Sequence, residues 1–189
     1  AIRSQVLSHP ESLMQATNPE EVREAKRRGL CAIIPGIENG YAIGKELANI
    51  ERFRDMGVCY ITLCHNGDND ICDSARKTKH EHNGLSDFGR EVVREMNRLG
   101  VMVDISHAAV LQISSAPVVA SHSSSRALCN HTRNLTDEDA LAIARSGGVV
   151  QVCLYAGFIS EQEEEGSVQH AADHIDHFVR LLGIEHVGV

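Results

Sequence analysis

Residues 101–122 read VMVDISHAAVLQISSAPVVASH: two short apolar runs, Val101 to Ile105 and Pro117 to Ala120, each closing on a Ser-His pair, at His107 and at His122. Short runs rich in Val and Ile and bounded by polar residues read as buried strands. The arrangement recurs upstream, where CAIIPGI runs into Glu38 and VCYITLC into His65. In a parallel sheet closed into a (β/α) barrel all strands point the same way, so residues at their C-terminal ends meet at one mouth, where barrel enzymes keep their chemistry. One Glu and three His gathered there point to a metal hydrolase.

Between these runs the apolar spacing changes to the helical period. Asn18-Pro-Glu-Glu21 reads as an N-cap with Pro at the first helical position, predicting a helix from Pro19 to Arg28 that stops at Gly29. Cys31 to Ile37 follows as a strand. Ile43, Leu47, Ile50, Phe53 and Met56 then recur at helical spacing, with Gly57 as the stop before a strand from Val58 to Leu63. Ser86 and Asp87 cap a helix carrying Val92, Val93, Met96 and Leu99, which Gly100 ends before the Val101–Ile105 strand. Thr136 with Asp139 resembles a capping box ahead of Leu141 and Ile143, and Gly147-Gly148 ends that helix. A strand from Val149 to Leu154, a helix from His170 to Leu182 and an apolar stub from His186 to Val189 complete the chain. Strands separated by single helices imply parallel βαβ units with right-handed crossovers.

Two stretches break this alternation. HAAVLQISSA (107–116) is shorter than the roughly 10–12 residues plus turns that a helical crossover needs. The acidic SEQEEEGSVQ (160–169) has almost no apolar content, so a further excursion is expected to be missing there. With about six strands where a closed barrel has eight, residues 1–189 read as a single (β/α)-barrel domain lacking its first strand, its C-terminal part and internal loop segments.

Composition narrows the partners. A chain of 189 residues, 42% hydrophobic, can bury one substantial core. A formal charge of -8, with no basic stripe among its 18 Lys and Arg, argues against nucleic acid and for small-molecule chemistry. No apolar run approaches the roughly 20 residues of a membrane span, and AIRSQVLSHPES lacks the apolar core of a signal peptide. Cys31, Cys59, Cys64, Cys72, Cys129 and Cys153 match no CxxC zinc spacing and read as small buried residues of a reduced protein. That reading favours the cytoplasm without fixing the location.

Each candidate site residue has a plainer alternative. Glu38, between Gly36 and Gly40, can bridge two cations with its two oxygens or simply cap the next helix. His107 and His122, on neighbouring parallel strands, reach one ion or form a partly buried hydrogen-bonded pair. His65 is a ligand, a donor that polarises a substrate oxygen, or a structural histidine. Arg133, just beyond the strand that ends at His122, clamps a substrate carboxylate or anchors its own loop. Asn66, Asp68 and Asp70 imitate the start of an EF-hand, but Ile71 replaces the glycine and Lys77 the bidentate Glu, so calcium is rejected. His170, His174 and His177 share a helix face beside Asp173 and Asp176 and read as a solvated polar face rather than a metal site. Ser123, Ser124 and Ser125 sit in no G-x-S-x-G elbow, and the HExxH motif is absent.

The stretches GIENG (36–40), LCHN (63–66), GLSDFG (84–89), VDISH (103–107) and above all ASHSSSRALCNHTRNLTD (120–137) closely resemble the renal (membrane) dipeptidase family, and the resemblance runs from about Thr17 to Val189. It implies a zinc-dependent dipeptidase of the metal-dependent hydrolase superfamily on a (β/α)8 TIM-type barrel. A hydroxide bridging two zinc ions would attack the peptide bond of a dipeptide, and a homodimer is compatible with the family. On this resemblance Glu38 is the catalytic carboxylate bridging both zinc ions, and His107 and His122 complete the second metal site. His65 matches the substrate-binding histidine beside the scissile carbonyl, and Arg133 the arginine that holds the dipeptide carboxylate.

The chain also departs from the family pattern. The family's first zinc needs a His-x-Asp pair at the end of its first strand, and no such pair is expected in this sequence, His186 and the other late histidines being in the wrong place. Its proton-shuttling Asp lies just past the strand that begins at His186, beyond Val189. Several residues usual between His107 and His122 are missing. The expectation is therefore part of a longer enzyme. The alternatives are a truncated or non-catalytic homologue acting as a binding module, and a related amidohydrolase acting on a cyclic amide or β-lactam.

Overall fold

The computed structural model describes residues 2–76, 79–108 and 114–189. Helix α1 (Ile2–Ser8) and strand β1 (Leu13–Gln15) come first, and the sequence pattern marks neither, because neither carries a fully buried apolar residue. Helix α2 (Pro19–Arg27) starts as its cap predicts: the Asn18 side chain accepts the Glu21 N–H at 2.9 Å, and the Glu21 carboxylate accepts the Thr17 N–H. The expected strand from Cys31 to Ile37 is in fact two, β2 (Cys31–Ile33) and β3 (Gly36–Glu38), broken at Ile34-Pro35, where proline has no N–H to offer a ladder. A 3-10 turn at Gly40–Ile43 and helix α3 (Ala48–Asp55) lead to β4 (Tyr60–Thr62), so this helix begins later than its apolar spacing implied.

Helix α4 (Asp87–Leu99) is capped by Ser86, which accepts the Gly89 N–H at 2.9 Å, and it ends on left-handed Gly100. Strands β5 (Met102–Asp104) and β6 (Val118–Ala120) follow. Half of the segment expected to be too short for a helical crossover, residues 109–113, lies outside the described residues. The capping box at Thr136 and Asp139 opens helix α5 (Asp137–Arg145), which leads to β7 (Val149–Gln151). The residues of the acidic stretch are ordered. Helix α6 (Ala156–Ile159) and a 3-10 turn at Glu163–Glu165 fold together there, with the Tyr155 hydroxyl donating to Glu163 and the Asn130 N–H to Glu161, both at 2.6 Å. Helix α7 (Val168–Leu182), capped by Ser167 rather than starting at His170, precedes β8 (Val187–Gly188).

Among the described residues β1 and β2 form one parallel sheet, and β3 to β8 form a second, in chain order with every neighbouring pair parallel. This is the wall of a TIM-type (β/α) barrel. Register sets up the site. Glu38 pairs with Thr62, and Thr62 with Asp104, on three adjacent strands. Because alternate side chains face opposite ways, these three share the inner face, with Ser121 just beyond β6. Ile61, Val103, Ala120 and Val150 turn outward onto Ile50, Val92, Met96, Ile143 and Phe178 of the helices. All of these are essentially solvent-free, and each large side chain so buried contributes roughly 2 kcal/mol.

All six cysteines are free thiols, although Cys31 is exposed rather than buried. Asp68 accepts the Ser74 N–H at 2.7 Å and Asp70 pairs with Lys45 at 3.2 Å, so both acids of the EF-like stretch have protein partners. Among the described residues no helix is long and apolar enough to cross a membrane.

Candidate metal centre

Four strand ends deliver side chains to one point on the inner face. Glu38 is the last residue of β3, and His65, His107 and His122 lie just beyond β4, β5 and β6. Glu38 Oε1 is 3.3 Å from the Nε2 atoms of both His107 and His122, and 3.6 Å from Nε2 of His65. The two Nε2 atoms of His107 and His122 are 2.9 Å apart. The convergence expected from the sequence is therefore present, and Glu38, Tyr60, Thr62, Ser121 and His122 line a cleft of about 240 Å³.

Local backbone chemistry explains the aim of these groups. At Gly36 a Cβ would fall 2.1 Å from the Tyr60 ring, so only glycine lets β3 lie this close beneath it. Asn39 takes φ 88°, and its side-chain oxygen accepts from the Tyr41 N–H and from Asn69 Nδ2, fixing the turn that follows Glu38. His107 itself has φ 72°, a left-handed conformation that costs of order 1–3 kcal/mol. The Ala75 N–H and the Cys64 thiol hold it there by donating to its carbonyl, at 2.8 and 3.5 Å.

The His107 and His122 imidazoles are held toward the neutral form. Burial first, then the positive charge of Arg133, holds His107 down to about 3 and also lowers His122. Their contacts with Glu38 are accordingly not ion pairs; the rings present lone pairs or neutral N–H groups to the carboxylate. A zinc ion with tetrahedral ligands at about 2.0–2.1 Å keeps its donor atoms about 3.3 Å apart, close to the spacing found here. One carboxylate with two or three imidazoles is a donor set that zinc accepts. Glu38, His65 and His107 bring their ligand atoms within 4.8 Å of one another, as do Asp68, Asp73 and His80 elsewhere. The residues thus fit a zinc ion.

Arg133 is not a surface residue, since only 3% of it is exposed. It donates from Nη1 to Ser123 Oγ and from Nη2 to the His122 carbonyl, both at 2.9 Å, which ties it to the backbone of a candidate ligand. Its Nε is buried without a partner among the described residues. Phe158 lies under the guanidinium at 5.8 Å.

Several residues in contact with the site escaped the sequence reading. Asp104, wholly buried at the end of β5, accepts hydroxyls from Thr62 and Ser121, both at 2.6 Å. An acid inside the apolar run VMVDIS was the available signal. Ser121 Oγ in turn lies 2.8 Å from His122 Nδ1. His174 is not on a solvated face; it is 1% exposed, and its Nδ1 accepts the Ser125 N–H at 2.9 Å. A His-x-Asp does occur, against the expectation that the sequence has none, but His174-Ile-Asp176 belongs to α7 and not to a strand end.

The chain is similar to several known proteins. The family model described as membrane dipeptidase matches residues 1–189. An uncharacterized dipeptidase of Schizosaccharomyces pombe is 39% identical over 173 residues, covering 87% of this chain and 42% of its own length. The dipeptidase tcpJ of Claviceps purpurea is 33% identical over 187 residues, covering 96% of this chain and 44% of its own. An amidohydrolase from Pseudomonas aeruginosa matches with a TM-score of 0.92 at 28% identity, over 100% of this chain and 58% of that one. A metallo peptidase from Rhodobacter sphaeroides, liganded with a phosphinate mimic of the dipeptide L-Ala-D-Ala, matches with a TM-score of 0.87 at 27% identity over the same shares. The chain spans about half the length of the curated relatives it matches.

Proposed function

Because the chain belongs to the membrane dipeptidase family, we propose that the full-length protein is a zinc metallodipeptidase in which Glu38, His107 and His122 are metal ligands. The observation that carries this reading is the approach of one Glu38 oxygen to both imidazole Nε2 atoms at 3.3 Å. Zinc bound there, two ions in the complete enzyme, would supply a nucleophile from water at neutral pH and a Lewis acid for the peptide carbonyl. In this proposal the His-x-Asp ligands, the proton-shuttling Asp and the strand that completes the (β/α)8 barrel come from parts of the full-length protein outside these residues.

The chain's own groups would do the rest. Glu38 would help hold both cations. His65, the most loosely held of the cluster, faces the substrate and donates to the carbonyl oxygen as negative charge develops on it. Arg133 holds the free carboxylate of the substrate and so limits it to dipeptides. The dipeptide mimic in the Rhodobacter sphaeroides relative supports this substrate class. A second reading, hydrolysis of a cyclic amide or β-lactam by the same ligands, draws on the amidohydrolase from Pseudomonas aeruginosa.

The test is a substrate panel offered to the zinc-loaded full-length protein: simple dipeptides, a dihydropyrimidine-type cyclic amide and a β-lactam. Turnover led by dipeptides is the expected result. Preference for either cyclic substrate would replace the dipeptidase reading with the second one, and no turnover at full zinc loading would leave a binding module.

A further inference from the structure

Behind His122 sits a carboxylate that the proposed chemistry does not use. Asp104 is fully buried and its acceptor positions are filled. Oδ1 takes the N–H groups of Ser106 at 2.9 Å and Ser121 at 3.0 Å. Oδ2 takes the hydroxyls of Thr62 and Ser121, each at 2.6 Å. Ser121 has a single hydroxyl hydrogen, and it is committed to Asp104. The 2.8 Å contact between Ser121 Oγ and His122 Nδ1 can then run only one way, with the ring donating its Nδ1–H to the hydroxyl oxygen. A neutral imidazole protonated on Nδ1 carries its lone pair on Nε2, the atom that faces Glu38 and His107.

We infer that Asp104 and Ser121 are positioning residues that lock His122 in the Nδ1–H tautomer and aim its Nε2 lone pair at the cation site. The inference rests on the metal role proposed for His122 and adds the two residues that prepare it. Orientation is fixed from the backbone side as well, since the His122 N–H donates to Ser106 Oγ at 3.1 Å. The preparation is specific to this ring. Among the described residues Nδ1 of His107 has no such relay, being buried without a hydrogen-bond partner. A hydroxyl interposed between a buried carboxylate and a ligand imidazole also passes on part of the negative charge, making Nε2 a stronger donor to a cation.

Nitrogen-detected NMR of the zinc-free full-length protein, labelled with 15N in histidine, reads which ring nitrogen carries the proton. His122 is assigned as the ring missing from His122→Gln. Wild type should show His122 as Nδ1–H. Asp104→Asn is the discriminating variant. Its amide oxygen can keep the two backbone N–H groups, which leaves the NH2 facing Thr62 and Ser121. That NH2 donates to Ser121, the hydroxyl turns round to donate to His122 Nδ1, and the ring becomes Nε2–H. Zinc affinity should then fall about 10- to 100-fold.

Ser121→Ala, which spares the other partners of Asp104, should give mixed tautomers and a smaller loss of affinity, and Ser121→Thr should restore both. A merely structural Asp104 would lower the Tm of the Asn variant and leave the tautomer unchanged. An Nε2–H His122 in wild type, or an unaltered tautomer in Asp104→Asn, overturns the inference even in a protein that binds zinc and cleaves dipeptides. Failure of the function looks different: an Nδ1–H His122 in a protein that takes up no zinc overturns the metal role and leaves only the tautomer lock.

Discussion

The Nε2 atoms of His107 and His122 lie 2.9 Å apart, a separation that two lone pairs tolerate only with a proton or a cation between them. Both rings are neutral at pH 7, and Glu38 closes the third side at 3.3 Å from each. His122→Ala removes one of these donors outright. Since loss of an outer partner of a ligand already costs about 10- to 100-fold, loss of the ligand should cost turnover at least about 100-fold and release one zinc equivalent. Steady-state kinetics with zinc analysis checks this, and normal turnover would refute the ligand role.

Arg133 calls for a milder substitution than alanine, because its guanidinium also supports the His122 carbonyl and Ser123. Arg133→Lys keeps the charge and loses the planar fork. A charge-assisted hydrogen bond is worth about 1.5–3 kcal/mol, so KM for dipeptides should rise roughly 10- to 100-fold while kcat stays within about threefold. An unchanged KM would leave Arg133 as a loop anchor only.

Gly89 sets helix propensity against close approach. By propensity alone, Gly89→Ala in the first turn of α4 should stabilise by about 1 kcal/mol. The added Cβ would, however, meet the Ile71 carbonyl oxygen at 2.0 Å, and that carbonyl already accepts the capping Ser86 N–H at 3.0 Å. Retreat of the carbonyl would break this contact, so the variant should lose about 1–3 kcal/mol in urea unfolding. A stabilised variant would show that the approach is looser than the structure has it.

His174 ties stability to pH. Burial lowers its pKa, and its Nδ1 already accepts the Ser125 N–H, so a second ring proton would point at another donor. The folded pKa is depressed below the unfolded value of about 6.5, so the unfolded chain binds the extra proton first. Its contribution is whole above about pH 6.5 and is lost as pH falls toward the folded pKa, with a slope of at most about 1.4 kcal/mol per unit. Unfolding free energies at pH 7 and pH 5 should differ less in His174→Asn than in wild type. Equal differences would mean that His174 does not contribute.

What was legible in the sequence was local. Asn18, Ser86 and Thr136 cap helices through bonds to backbone three residues away, so the letters suffice. Glu38, His65, His107 and His122 stood out because each ends an apolar run, and parallel strands bring such ends together. The rest depended on distant partners. Thr62 and Asp104 are 42 residues apart in sequence, and only the strand register shows that they touch. His174 shares a helix face with the partly exposed His170 and His177, but the Ile159 carbonyl and the Ser125 loop cover it. Pro35 could have been read as a strand break, whereas β1, three residues with no alternation of burial, carried no signal.

The central claim is that Glu38 bridges two zinc ions, and the most direct measurement is the zinc retained per chain by the full-length protein and by Glu38→Gln after dialysis against metal-free buffer. The account predicts two equivalents in wild type and at most one in the variant, with dipeptide turnover lost. Equal zinc content in the two proteins would contradict it.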